Sequence, residues 1–458
     1  MVILYSEKNI ESMEKNIDGV VLKAIRQQLE LLEPPIDEYL KVSKYVMSFI
    51  KKHKLIIHGN FAIDTLIKYK NKDDGYFLKL GDDILLNPNR PSEYPIIDVY
   101  STDPHNTMKT ICDELNDKNL QFVEGIGGRA NGSYRVLVNF LSYLMISYMP
   151  ENIYNSVKRI TIDGVDYIDP RILLINNLKI YTSLLINNKL LKDYILTTNK
   201  LLKYYPLLLK EDKLTKDKLD DNINDKLEII RKKILPNSDL IVFGYYAYYY
   251  FMYKGLDDHK NDLYIPYYEV LSNNFKEDVV KIKKELTDEV TTIEHHPFMD
   301  YLGESVHFYH KKRLILIIYN QDKECIQYRS ITKKNIFICS YQSFIMTCLI
   351  NGIMSTMSKD VKQQNNYNYM IKNVIDVRNK YLDSNNKTLL DDTPFQEFNV
   401  ECKGDTITND RVFRLFVMDK INKREPFMIK YDPDNPDKRY NDKLYVLHDI
   451  SGKSKQIA

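Results

Sequence analysis

Apolar residues recur at helical spacing through residues 19–55, and Pro34-Pro35 interrupts them, so a helix is expected on either side of that pair. Leu55-Ile56-Ile57 is a short run of strand type that leads into His58-Gly59-Asn60 and then the helical stretch FAIDTLIKY. Residues 70–93 are charged and rich in Gly and Asn, which reads as a loop or insertion. A second short strand, Pro95 to Tyr100, precedes a helix over about 105–118. The run YRVLVNFLSYLMISY at 134–148 predicts one buried strand, 160–168 a hairpin, and 171–206 two Leu- and Lys-rich helices. Residues 210–233 are highly charged and read as helix or linker.

The second half repeats this plan. Val242-Phe243-Gly244-Tyr245-Tyr246-Ala247 echoes Ile57-His58-Gly59-Asn60-Phe61-Ala62. An ungapped match lies 171 residues on, where PIIDVYSTDPHNTMKTICDEL from Pro95 overlays PYYEVLSNNFKEDVVKIKKEL from Pro266. Asp98 then faces Glu269, and the apolar run Leu314 to Tyr319 stands where Val136 to Phe140 stood. The pattern predicts a duplicated α/β domain. No short solenoid repeat is present.

Composition narrows the class. The chain has 458 residues, enough for about three domains at ~150 residues each. Apolar residues make up 44% and charged residues 28%, which excludes a disordered chain. Lys plus Arg number 65 against 63 acids, so a strongly basic, histone-like protein is excluded as well. The five cysteines, at 112, 325, 339, 348 and 402, form no CxxC pair; they suit a reducing compartment and argue against a disulfide framework or zinc ribbon. The N-terminus carries acids where a signal peptide needs an apolar stretch, and the run Val136 to Pro150 is too short and too interrupted to span a bilayer. A soluble, intracellular protein without membrane partners is expected.

The order strand, Gly-containing turn, helix, acid-bearing strand has a physical logic. The turn aims backbone N–H groups and a helix N-terminus at an anion such as a triphosphate. Carboxylates on adjacent strands hold divalent ions that clamp attacking and leaving oxygens. A single Gly before a helix is also what any α/β domain shows. His307-x-x-His310 with Glu304 nearby invites a metal reading, but on a strand the two imidazoles face opposite ways. His295-His296 reads as loop. Lys200, Lys203, Tyr204 and Tyr205, and separately Lys333-Lys334, offer cations for RNA phosphates, although Lys and Tyr are abundant throughout. There is no Ser-His-Asp arrangement, P-loop or dinucleotide fingerprint.

Five segments together resemble one family. They are His58-Gly59-x-x-Ala62-Ile63, Pro95-x-x-Asp98-x-Tyr100-Ser101, Ile146-Ser147-Tyr148-Met149-Pro150, Ile162-Asp163-Gly164-x-x-Tyr167-x-Asp169-Pro170, and Phe395-x-Glu397-Phe398-x-x-x-Cys402-x-Gly404-x-Thr406. In order and spacing they are similar to the poly(A) polymerase catalytic subunit of giant viruses and, more distantly, of poxviruses, within the nucleotidyltransferase superfamily. The resemblance implies an α/β (α+β) fold with two tandem nucleotidyltransferase-like domains and helical N- and C-terminal regions. It places a helical region at 1–50, domain 1 at 51–206, a degenerate domain 2 at 207–330, and a helical, irregular region at 331–458.

The same resemblance implies ATP and an RNA 3′ end as partners, Mg²⁺ or Mn²⁺ as cofactor if the chain is active, a homodimer or a heterodimer with an active paralogue, and host cytoplasm or virion as location. It assigns nucleotide binding to His58 and Gly59 and metal binding and catalysis to Asp98. The departures fall on this site. Ile96 stands where the family pattern has a first acid, Met145 where it has a third, and Asn60 where it has a second glycine. Ile96 and Met145 cannot ligate a hard cation. Asp82-Asp83 and Asp103 are the nearest substitutes; the first pair lies in the insertion and Asp103 points away into a turn. The expectation is a catalytically impaired relative serving as an RNA-binding or dimerising subunit. An active polynucleotide adenylyltransferase, and an unrelated structural or interaction protein, stand as alternatives.

Overall fold

A computed structural model describes residues 5–31, 36–80, 84–86, 94–128, 132–187, 190–209, 213–256, 264–286, 290–321, 325–331, 335–404, 415, 418, 419, 422, 423 and 430–434. They form two compact units, one drawn from 1–148, 158–168 and 420–447, the other from 149–157, 169–419 and 448–458. The fold is mixed α/β with two large sheets, as the sequence predicts.

The first unit opens with helices α1 (Glu7–Leu31) and α2 (Ile36–Lys52); the Pro pair at 34 and 35 lies outside the described residues. Tyr39, Val42, Val46, Phe49 and Ile50 give α2 one buried face at helical spacing. Then follow β1 (Ile56–His58), α3 (Gly59–Lys70), a small hairpin of β2 (Leu78–Leu80) and β3 (Ile84–Leu86), β4 (Ile97–Ser101) and α4 (Pro104–Asn116). Asp103 caps α4 by accepting the Asn106 N–H at 3.1 Å, with Pro104 in the first turn. Strands β5 (Glu124–Gly127), β6 (Ser133–Val138) and β7 (Leu141–Tyr148) come next. Helix α5 (Glu151–Ser156) belongs to the second unit, and β8 (Arg159–Ile162) and β9 (Val165–Ile168) return to the first.

The second unit continues with α6 (Pro170–Tyr181), α7 (Leu184–Asn187), α8 (Leu191–Tyr204) and α9 (Asp221–Ile229). Its sheet elements are β10 (Ile241–Phe243), α10 (Gly244–Leu256), β11 (Tyr268–Ser272), α11 (Phe275–Leu286), β12 (Val290–His295), β13 (Ser305–His310), β14 (Arg313–Asn320), β15 (Ile326–Ile331) and β16 (Ile336–Cys339). Helices α12 (Tyr341–Met357) and α13 (Val361–Ser384) follow, then the short strand β17 (Cys402–Lys403). A last strand, β18 (Lys430–Tyr431), pairs with β5 in the first unit.

The two sheets run in the orders β18-β5-β6-β7-β4-β1-β9-β8 and β12-β13-β14-β11-β10-β16-β15-β17. From β5 and β12 onward, seven strands correspond one to one, and each neighbouring pair has the same sense in both sheets. Pro95 and Pro266 both stand just before equivalent strands.

Three expectations need correction. Residues 134–148 are not one strand but the hairpin β6–β7, turned at Asn139-Phe140. The counterpart of β14 is therefore β7 rather than Val136 to Phe140, because each is the parallel neighbour of its acid-bearing strand. Cys325 and Cys402 form a disulfide with Cα atoms 5.3 Å apart, so the five thiols are not all free. Pairing of β15 with β17 puts Gln327 opposite Cys402 and brings the two cysteines together, which no spacing in the sequence reveals.

Gly59 and Gly244 open α3 and α10 with φ of 67° and 62°, a region that L side chains enter only at a cost. A Cβ on Gly244 would lie 1.9 Å from the Glu269 carboxylate, and one on Gly59 2.5 Å from that of Asp98. Gly244→Ala is expected to lose about 2 kcal/mol in urea unfolding, from backbone strain plus a clash with a buried acid. Gly59→Ala should lose less, since its Cβ would meet the carboxylate less closely and Asp98 is only half-buried.

Candidate functional site

Four side chains of the first sheet lie in one row. His58 on β1 is opposite Asp98 on β4, Asp98 is opposite Met145 on β7, and Met145 is opposite Arg135 on β6. Residues in register share a face, and by alternation Ile96 falls on that face two residues before Asp98. Ile97, Val99, Leu144 and Ile146 point the other way and are buried. The row itself is half-buried at every position, so solvent reaches this face only in part.

Gly59 lets the backbone pass close to Asp98, where any side chain would collide with the carboxylate. His58 occupies the cap position of α3 without capping it, and its ring stacks on Tyr100 at 3.8 Å. The first turn of α3 therefore presents N–H groups without a side-chain cap, an arrangement that favours an anion. Asp98 accepts no hydrogen bond among the described residues, and burial pushes its carboxyl up to about 7. Arg135 supplies a guanidinium whose Nε has no hydrogen-bond partner.

These residues do not fit a pair of divalent ions. Asp98 is the one carboxylate of the row, Ile96 and Met145 stand where the resemblance expects further acids, and the Arg135 guanidinium lies beyond Met145. Nor is there any group of three or more His, Cys, Asp or Glu arranged to hold a metal among the described residues. Asp103 is committed to capping α4, and Asp82-Asp83 lies outside the described residues.

The equivalent row of the second sheet is Phe243, Glu269, Ile317 and His307. There helices cover the face. Asn351 of α12 donates to Glu269 Oε1 at 2.8 Å, and the Tyr367 hydroxyl of α13 lies 3.4 Å from the same oxygen. Glu269 is fully buried, its Oε2 has no hydrogen-bond partner, and burial raises its carboxyl to about 8. One acid position is thus half-buried and the other sealed.

The remaining sequence candidates fall elsewhere. His307 and His310 share β13, and the ring of His307 lies against that of His295, centroids 3.8 Å apart and planes tilted by 30°; burial lowers His307 to about 3, so it stays neutral. Lys203 lies 4.9 Å from the ring of Tyr204 at the end of α8, while Lys333-Lys334 is outside the described residues. The downstream motif is structural where it is described: Phe395 packs fully buried among Phe251, Tyr341 and Tyr381, and Glu397 pairs with Arg378 at 3.2 Å. Arg135 is not among the sequence candidates; strand alternation across the hairpin β6–β7 is the signal that places it on this face.

Comparisons with known proteins cover nearly the whole chain. A family model described as "Poly(A) polymerase catalytic subunit" matches residues 44–187, and one described as "APMV, Putative poly(A) polymerase, catalytic subunit, C-terminal" matches residues 199–455. The chain is 24% identical to a putative poly(A) polymerase catalytic subunit of Acanthamoeba polyphaga mimivirus, over 94% of this chain and 78% of that one. A protein of the same name from African swine fever virus (strain Badajoz 1971 Vero-adapted) is 28% identical over 32% of this chain and 28% of its own. The crystal structure of the Megavirus polyadenylate synthase superposes with a TM-score of 0.87 at 25% identity, covering 95% of this chain and 87% of that one. No described helix is long and apolar enough to cross a membrane.

Proposed function

Because the chain belongs to the poly(A) polymerase catalytic subunit family of giant viruses, with relatives in African swine fever virus, we propose that it is a catalytically impaired member that acts in mRNA polyadenylation by binding RNA. Membership in that family removes the reading as an unrelated structural or interaction protein. The observation that carries the impairment is the row His58–Asp98–Met145–Arg135, with Ile96 beside it. A face built to hold two divalent ions needs several oxygen ligands. Among the described residues, this row with Ile96 offers a single carboxylate, two apolar side chains, an imidazole and a guanidinium.

What the face can do is bind. The uncapped turn at Gly59 and the Arg135 guanidinium suit a phosphate of ATP or of an RNA 3′ end, with His58 and Gly59 positioning it. Among the described residues, Mg²⁺ and Mn²⁺ have no sufficient ligand set on this face. The matching strand orders support descent of both sheets from one duplicated domain, the second of which has its acid-bearing face sealed. Assembly with a second copy or with an active paralogue, in the host cytoplasm or virion, completes this reading.

The test is primer extension. Purified protein with ATP, an oligo(A) primer and either Mg²⁺ or Mn²⁺ is expected to add nothing above background. Robust tailing that disappears in Asp98→Ala would instead establish an active polynucleotide adenylyltransferase.

A further inference from the structure

Among the bulky apolar residues with positive φ, Phe122 and Phe140 stand apart because both are mostly exposed, at 61% and 72%. Phe398 shares the backbone conformation but sits edge-on to Tyr181 and gives its N–H to Gln342 at 3.0 Å. Phe122 has φ 51° in the segment before β5, and Phe140 has φ 63° in the two-residue turn between β6 and β7. Their rings stack on each other, centroids 5.5 Å apart and planes within 26°. Asn139 donates its backbone N–H to the Gln121 carbonyl at 3.4 Å and so ties the two turns together.

Neither residue suits its place on grounds of stability. Asn139 and Phe140 both have positive φ, as a type I′ turn requires, and that turn favours Gly at the second position. A phenylalanine there carries backbone strain and leaves apolar surface in water, and the same holds for Phe122. Two strained, exposed rings held in parallel are a platform. We propose that this pair stacks an unpaired base of single-stranded RNA, which adds to the outer face of the stacked rings. This rests on the reading of the chain as an RNA-binding relative of the polymerase.

The surroundings favour a base over a protein partner. Lys118, Asn119 and Gln121, just before Phe122 in the chain, are all exposed; they offer a cation for phosphate and amides for base edges. Two rings present far less than the ~800 Å² per partner of a stable protein interface.

The chain contains no tryptophan, so Phe140→Trp places a single reporter on the platform. A 12-nucleotide single-stranded RNA is expected to quench its fluorescence at the concentrations where anisotropy shows binding, while a duplex of equal length leaves it unchanged. Phe140→Gly and Phe122→Ser should each weaken single-strand binding roughly 5- to 100-fold. The Phe140→Gly variant should melt at or above the temperature of the parent, because it relieves strain. A lower melting temperature would make the pair structural and overturn the proposal. Binding that is unaffected by either substitution, or that leaves the tryptophan unquenched, would overturn it while the RNA-binding reading stands. A parent protein that binds no RNA would end both. A shift from dimer to monomer in Phe140→Gly, seen by light scattering, would assign the rings to a second copy instead.

Discussion

Between pH 4.5 and 8 the protein is expected to lose on the order of 5 kcal/mol of folding stability that the Glu269→Gln variant does not lose. The carboxyl of Glu269 is raised from 4.5 to about 8 because it is fully buried on the sealed face of the second sheet. Its folded value lies above its unfolded value, so the folded state holds the proton more tightly. The contribution is therefore complete below about pH 4.5 and fades as pH rises towards 8, at about 1.4 kcal/mol per unit. The titratable groups around it are Tyr245, Tyr267, Tyr319, Tyr367, Cys339 and Cys348; burial pushes all of them up, so none ionises in this window. Glutamine keeps the shape and the acceptor for Asn351 but cannot ionise. The measurement is urea unfolding of both proteins at pH 5, 6, 7 and 8, and a difference that stays flat would mean that Glu269 is reached by water.

The second expectation concerns the half-buried face of the first sheet. Ile96→Asp with Met145→Asp would surround Asp98 with two further carboxylates on the same side of the sheet. Three close carboxylates repel until a cation arrives, and a ligand that prefers the folded state raises its stability. Mn²⁺ at a thousand times its Kd should stabilise the double variant by about 4 kcal/mol while leaving the natural chain unchanged. Each new carboxylate stands on a half-buried position, so much of the burial cost is avoided. Melting temperature against Mn²⁺ concentration reads both proteins. Equal responses would remove these positions from any metal site and take away the structural basis of impairment.

Much of the fold was legible because its signals are local. The glycine turns at 59 and 244, the Pro pair at 34 and 35, and the acid on each paired strand all lie within a few residues of what they determine. Asp98 and Gly59, both singled out through the family resemblance, do lie side by side. Arg135 was not singled out, because its position depends on a hairpin whose turn contains Phe140 where glycine would have announced it. The seal over Glu269 was not legible either, since Asn351 and Tyr367 lie 82 and 98 residues away in the chain. Such contacts follow from helix packing, which leaves no short-range trace in the sequence.

The Cys325–Cys402 bond closes a loop with a sequence separation of 77, and that loop contains β15, β16 and both covering helices. In a chain-entropy picture, closure of this length lowers the freedom of the unfolded segment by about 4.5 kcal/mol. The cover is therefore tethered at both of its ends. Neither α12 nor α13 can leave the sheet as a free tail, and peeling from one terminus is not an available route. Any opening of the cover must therefore proceed as a closed loop anchored to the edge of the second sheet.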